Sequence, residues 1–204
     1  CMRLQAKGCK RKEESMEKIV FFNIAWMKKY EGQTSRDVVY NGGKFVKENG
    51  FGHEVCNFLK CKDGNCYGYV QPHVKYETID ISRHFEVSEK DEKIDDVLVV
   101  WCATKPEGGR CIVGWYKHAT VYRYSKSIPS EALTNIHKKN GVEYFYTYTK
   151  SSNVTLLDED LRTACPNIKG RGVWFAEDDE KFRNSIYQQI MTSDYVLDDS
   201  NVSE

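Results

Sequence analysis

The chain has 204 residues, with 30 Lys+Arg against 30 Asp+Glu, 40% hydrophobic and 13% aromatic residues. That fits one compact domain with short extensions and argues against disorder, collagen-like repeats and low complexity. No run nears the roughly 18 consecutive apolar residues of a helical membrane span, and the first 18 residues are too charged for a secretory signal, so neither a membrane nor a secretory route is expected.

Residues 1–15 are aperiodic and basic by three charges, and they read as an appended leader. Ile19 to Trp26 is a buried-strand run. Residues 31–50 are punctuated by Glu31-Gly32, Asn41-Gly42-Gly43 and Asn49-Gly50, with a short helical turn possible over Lys44–Glu48. Val55–Leu59 and Tyr67–Val70 read as a hairpin whose tip carries Asp63-Gly64. Ile79–Phe85 is a weaker strand or loop, and charged Glu86–Asp96 is a surface connection. Val97–Ala103 is a strongly apolar central strand, Lys105–Arg110 a turn, and Cys111–Tyr124 the antiparallel return. A short helix fits within 128–140, and Glu143–Thr149 is a strand. Leu156–Arg162 is a helical turn or loop, and Gly170–Ala176 a short strand. Asp178–Met191 is an amphipathic helix, because Phe182, Ile186 and Ile190 recur every four residues behind acids in its first turn. The tail, 194–204, is polar and acidic. The body of the domain spans 16–193, and five to seven strands with few helices predict an α+β fold or compact mixed barrel.

Enzyme signatures are sparse. The sequence holds no Gly-x-Ser-x-Gly, Walker A, dinucleotide glycine fingerprint or His-Glu-x-x-His, so no catalytic residue and no cofactor are assigned. Eight cysteines without a signal peptide point to a reducing, cytoplasmic setting. Cys56, Cys61 and Cys66, flanked by His53 and His73, are spaced too widely for a usual zinc site. Cys102 and Cys111 read as small buried hydrophobes without an identifiable base. A metal-dependent nuclease built on His137 with Asn140, or on Asp158, Glu159 and Asp160, is the enzymatic alternative. Three consecutive acids point in different directions, so a charged loop explains them better.

The remaining constellation is aromatic and basic. Trp26, Trp101 and Trp115 fall near the ends of core strands, where an indole can stack on a planar base. Tyr116 adjoins them, and Asn23 could read a base edge. Lys44, Arg110, Lys117, Arg123 and Arg171 could meet phosphates.

The stretches 21–32 (FFNIAWMKKYEG) and 42–54 (GGKFVKENGFGHE) resemble the start of the reader domain of modification-dependent HNH restriction endonucleases. The segments 67–72 (YGYVQP), 97–109 (VLVVWCATKPEGG), 112–123 (IVGWYKHATVYR) and 172–176 (GVWFA) continue the likeness, over about residues 18–180. That domain is similar to the PUA-like superfamily, whose EVE and YTH members bind modified bases in aromatic pockets. The resemblance implies a PUA-like mixed β-barrel with peripheral helices that flips a modified base out of DNA within a restriction or defence system. No such nuclease module lies within these residues, so either a separate nuclease partner cleaves, or the chain is a solitary binder or a fragment. An RNA-binding PUA-like module and a protein-interaction module remain the alternatives.

Overall fold

The computed structural model describes residues 17–41, 52–72, 77–166 and 172–192. The leader, the turn at Lys44–Glu48 and the tail lie outside the described residues.

Seven strands form one mixed sheet: β1 (Ile19–Ile24), β2 (Asn65–Gly68), β3 (Lys93–Thr104), β4 (Arg110–Ser127), β5 (Tyr144–Lys150), β6 (Val154–Leu156) and β7 (Val173–Trp174). Their order is β2-β5-β4-β3-β1-β7, with β6 also on β4. The edge strands β2 and β7 are not paired with each other, so the sheet is open rather than closed into a barrel. Among the described residues three α-helices accompany it: α1 (Ile81–His84), α2 (Asn135–Lys139) and α3 (Glu180–Thr192). The architecture is α+β.

The centre is the β3–β4 hairpin, turned at Gly108 and Gly109, both at positive φ, with the Lys105 N–H bonded to the Gly109 carbonyl at 2.9 Å. β1 lies parallel to β3, Phe22 beside Trp101 and Asn23 beside Cys102. Both faces of β1 and β3 are covered, which explains their unbroken apolar runs. One face carries Val20, Phe22, Val99, Trp101 and Ala103 into the larger core. The other sets Ile19, Phe21, Val100 and Cys102 against α3, whose Ile186 and Ile190 complete a second core. Phe182 adds ring contacts to Phe21 at 5.4 Å and to Trp174 at 5.9 Å. The Asp179 carboxylate accepts the Phe182 N–H at 3.2 Å, capping α3 as its acidic first turn predicts.

Several elements differ from expectation. Val55–Leu59 is not a strand: His53–Cys56 is a 3-10 turn and β2 pairs with β5 instead. The expected hairpin tip survives only locally, in the Lys60–Cys66 bridge. Ile81–His84 is helical because Asp80 caps it through the Arg83 N–H. β6, only three residues long, was hidden in what reads as loop. It approaches β4 closely because Gly114 lacks a side chain: a Cβ there would lie 2.2 Å from the Thr155 carbonyl oxygen.

His137, on α2, is fully buried. Its Nδ1 contacts the Thr134 hydroxyl at 2.9 Å and its Nε2 lies 3.7 Å from Cys61 Sγ. Burial lowers its pKa. The unfolded chain therefore binds the extra proton first: stability is full above about pH 6.5 and falls as pH drops through it, by at most about 1.4 kcal/mol per pH unit for one proton. Urea midpoints between pH 8 and 5 are expected to fall in the wild type and to fall less steeply in His137→Gln. Equal slopes would contradict this.

Candidate functional site

The four aromatic residues singled out in the sequence do not form one cage. Trp101 and Tyr116 are 0% exposed. The Trp101 ring is enclosed by Phe22 and Tyr116, both at 5.2 Å, and by Phe58 at 6.4 Å. Gly68 presses on it from below, where a Cβ would come within 2.5 Å of the indole. The Tyr116 hydroxyl donates to the Asn57 carbonyl. Both are core residues, which corrects their assignment as base-stacking walls. Trp115 faces the opposite side of the sheet, because its cross-strand partner is Val100 while Trp101 opposes Gly114. There it lines an apolar cleft of about 270 Å³ with Ile112, Leu157, Leu161 and α3. No slot can have Trp101 and Trp115 as its two walls.

The basic residues are also dispersed. Arg123 is engaged in fixing the segment that precedes β3. It donates to the Asp91 carbonyl at 3.2 Å, the Ser82 hydroxyl at 3.3 Å and the Ser88 carbonyl at 3.4 Å, with Asp80 at 3.7 Å. That replaces its expected phosphate role with a structural one. Lys117 is half-buried on β4, and Arg110 opens that strand with Nε and Nη1 buried and lacking a hydrogen-bond acceptor. Asn23 is half-buried, and its backbone N–H donates to the Gly172 carbonyl at 2.8 Å. Lys44 and Arg171 lie outside the described residues.

The nuclease alternative does not assemble. His137 is interior, and the Asn140 side chain accepts the Gln33 N–H at 3.1 Å while donating to the Ile136 carbonyl at 2.9 Å. Asp158, Glu159 and Asp160 are exposed, and Glu159 pairs with Lys28 at 3.3 Å. Among the described residues no group of three or more His, Cys, Asp or Glu is arranged to hold a metal ion. Burial pushes the Cys56, Cys61 and Cys66 thiols up to about 12, against thiolate ligation. His73 lies outside the described residues.

Trp26 is the exception. β1 ends at Ile24, and Trp26 forms a two-way bridge with Tyr40, with N–H to carbonyl distances of 2.7 and 2.8 Å. Two buried charged groups lock the following turn. The Asp37 carboxylate accepts the Lys28 and Lys29 N–H groups, both at 2.8 Å. The Arg162 guanidinium donates to the carbonyls of Met27 at 2.8 Å, Lys28 at 2.5 Å and Leu157 at 3.2 Å. Its Cζ also sits over the Trp26 ring, 4.4 Å from the centroid.

An open cavity of about 430 Å³ lies over this locked turn. Trp26 and Tyr40 line it, with Lys28, Arg36 and Lys105 as cations and Asp37, Glu107 and Glu159 as acids. Trp26 is 5% exposed and contributes little surface, whereas Tyr40 is 52% exposed. A flat aromatic surface with cations at its rim can take a planar ring bearing an anionic group. Tyr40, Arg36, Lys105 and Arg162 were missed in the sequence. The available signal was an aromatic residue abutting Asn41-Gly42-Gly43, opposite the Lys105-Pro106 turn that Asn41 bonds through Lys105 carbonyl at 2.9 Å.

Comparison of the chain with family models, characterised proteins and solved structures finds no match.

Proposed function

We propose that this chain is a nucleic-acid-binding module that takes an extruded base into the Tyr40–Trp26 cavity. The observation that carries the reading is that cavity: an exposed Tyr40 beside a hydrogen-bonded turn, with Arg36 and Lys105 at the rim, where Lys28 is paired with Glu159 and Asp37 is engaged by the Lys28 and Lys29 N–H groups. About 430 Å³ falls within the usual range of small-molecule pockets and leaves room for a base with its sugar. Extruding a base costs a few kcal/mol, and one stacking contact returns roughly 1–3 kcal/mol. Tyr40 therefore needs help from phosphate contacts at the rim.

The finer parts of the reading rest on the resemblance. We infer that the open sheet is a variant of the PUA-like barrel, that the preferred target is DNA bearing a modified base, and that the setting is a cytoplasmic restriction system in which a separate nuclease cleaves. No helix among the described residues is long and apolar enough to cross a membrane.

The test is binding of labelled oligonucleotides carrying unmodified, methylated or hydroxymethylated bases, at several salt concentrations, with RNA of the same sequence as a further arm. Tyr40→Ala is expected to weaken binding about 5- to 150-fold, the equivalent of one stacked base. Arg36→Gln and Lys105→Gln should each weaken all sequences alike and reduce the salt slope by about one. Equal affinity for every base would remove modification reading, tighter RNA binding would reassign the target, and no salt-dependent binding would overturn the proposal.

A further inference from the structure

The two ends of the sheet are unequal. On β2 the outer edge is taken up: Lys60 bridges Cys66, and the Cys61 N–H donates to the Asn65 carbonyl at 2.8 Å. On β7 it is not. The Asn23 N–H donates to the Gly172 carbonyl at 2.8 Å, and two residues on Phe21 stands opposite Trp174. Backbone groups alternate in direction along an antiparallel ladder, so Val173, between these two positions, turns its N–H and carbonyl away from β1. Among the described residues neither group has a backbone partner. An edge with unpaired groups is a template for one more strand.

A cavity of about 450 Å³ lies along this edge. Every residue from Gly172 to Asp178 lines it, together with Ile79, Asp80, Arg83 and His84 in and before α1. Its walls are fixed to one another. His84 stacks on Phe175 with ring centroids 3.8 Å apart and meets the Glu177 carboxylate at 2.8 Å, while the Trp174 indole N–H donates to Asp178 at 2.6 Å. At the Gly172 end the Gln71 backbone abuts the strand, since a Cβ there would lie 1.9 Å from the Gln71 carbonyl oxygen. The opposite end is acidic. Asp80, Glu177 and Asp178 line the cavity against one guanidinium, that of Arg83, and Asp179 and Glu180 continue the acidic run. The Asp80 and Glu177 side chains are each 55% exposed. The Tyr40 cavity, by contrast, balances Lys28, Arg36 and Lys105 with Asp37, Glu107 and Glu159. Surplus carboxylates repel phosphates and favour a cationic partner.

We propose that the β7 edge binds an extended, lysine- or arginine-bearing segment of a partner protein, added as a strand beside Val173 with its cations over Asp80, Glu177 and Asp178. The two main-chain bonds at Val173 set the register, and the carboxylates set the composition of the segment. Side chains alternate along a strand, so cations at every second position reach the acids together. The competing occupants are a second copy of this chain and the chain's own basic leader, which carries Lys7, Lys10, Arg11 and Lys12. No described residue lines both this cavity and the Tyr40 cavity, so the inference is independent of whether the latter binds a base.

The experiment measures fluorescence anisotropy of a labelled peptide alternating lysine with valine, titrated with the full-length protein. Saturable binding that weakens with salt is expected, and none for the glutamate–valine counterpart. Two further lysine–valine peptides, N-methylated at every lysine or at every valine, keep the charge, but one of them loses the nitrogens that face Val173. That one should bind roughly tenfold more weakly. Val173→Pro removes the outward N–H and is tolerated at a sheet edge, so it should weaken the parent peptide roughly tenfold too. Glu177→Gln should weaken it several-fold, and both variants should leave oligonucleotide binding unchanged. No binding, or equal binding of all three lysine peptides, would overturn the proposal. So would binding seen only after Lys7, Lys10, Arg11 and Lys12 are changed to Gln, which gives the edge to the leader. A concentration-dependent dimer abolished by Val173→Pro would give it to a second copy and overturn the proposal as well. If Val173→Pro does not fold, the methylated peptides and Glu177→Gln still decide.

Discussion

Trp101→Ala is expected to destabilise the protein by about 3–5 kcal/mol, the cost of deleting a fully enclosed large aromatic side chain. The ring is 0% exposed and meets Phe22, Phe58 and Tyr116 edge-on, a geometry that adds favourable contacts beyond area burial. Gly68 cannot refill the space, since it has no side chain, and Gly114 opposite Trp101 has none either. The cavity would persist instead of collapsing. Against a total stability of about 5–15 kcal/mol for an ordinary domain, such a loss is a large fraction. Urea unfolding followed by far-ultraviolet circular dichroism measures it. The same preparation separates two roles for this residue. Folded Trp101→Ala protein should keep its oligonucleotide affinity, because the ring reaches no cavity beside Tyr40. Loss of affinity with stability retained would return Trp101 to the binding surface.

The strands around Trp101 were readable because they are apolar without interruption, and the same property hid the site. Val97 to Ala103 is buried on both faces, so no alternation tells which way Trp101 or Cys102 points. Once the pairing of Trp101 with Gly114 and of Val100 with Trp115 is known, the two indoles separate at once. α3 was legible for the contrary reason: one face is apolar at helical spacing and the other is not. Tyr40 and Arg162 escaped because their roles depend on partners far along the chain, Tyr40 on Trp26 and Arg162 on Met27 and Lys28. Periodicity reports burial within an element; it carries no information about which loop closes over which strand end.

Arg162 provides the sharpest test of how the Tyr40 cavity keeps its shape. Arg162 is 4% exposed, and its guanidinium serves three carbonyls, those of Met27, Lys28 and Leu157, while lying over the Trp26 ring. Replacement by methionine would keep much of the stem but leave those carbonyls unserved. Hydrogen bonds involving a charged group contribute about 1.5–3 kcal/mol each and do not add fully, so Arg162→Met should cost roughly 3–4 kcal/mol. Arg162→Lys discriminates charge from geometry. One ammonium keeps the charge but lacks the planar fork that spans carbonyls and lies flat on an indole, so it should restore less than half of the loss. Urea midpoints of the three proteins check this, and full rescue by lysine would show that charge alone matters. The binding assay then extends the argument. The Met27–Lys28 turn is held by Arg162 from its carbonyl side and by Asp37 from its N–H side. Release of the carbonyl side should loosen the floor beneath Tyr40. Folded Arg162→Lys protein is therefore expected to bind oligonucleotides several-fold more weakly, although Arg162 itself need touch no nucleotide.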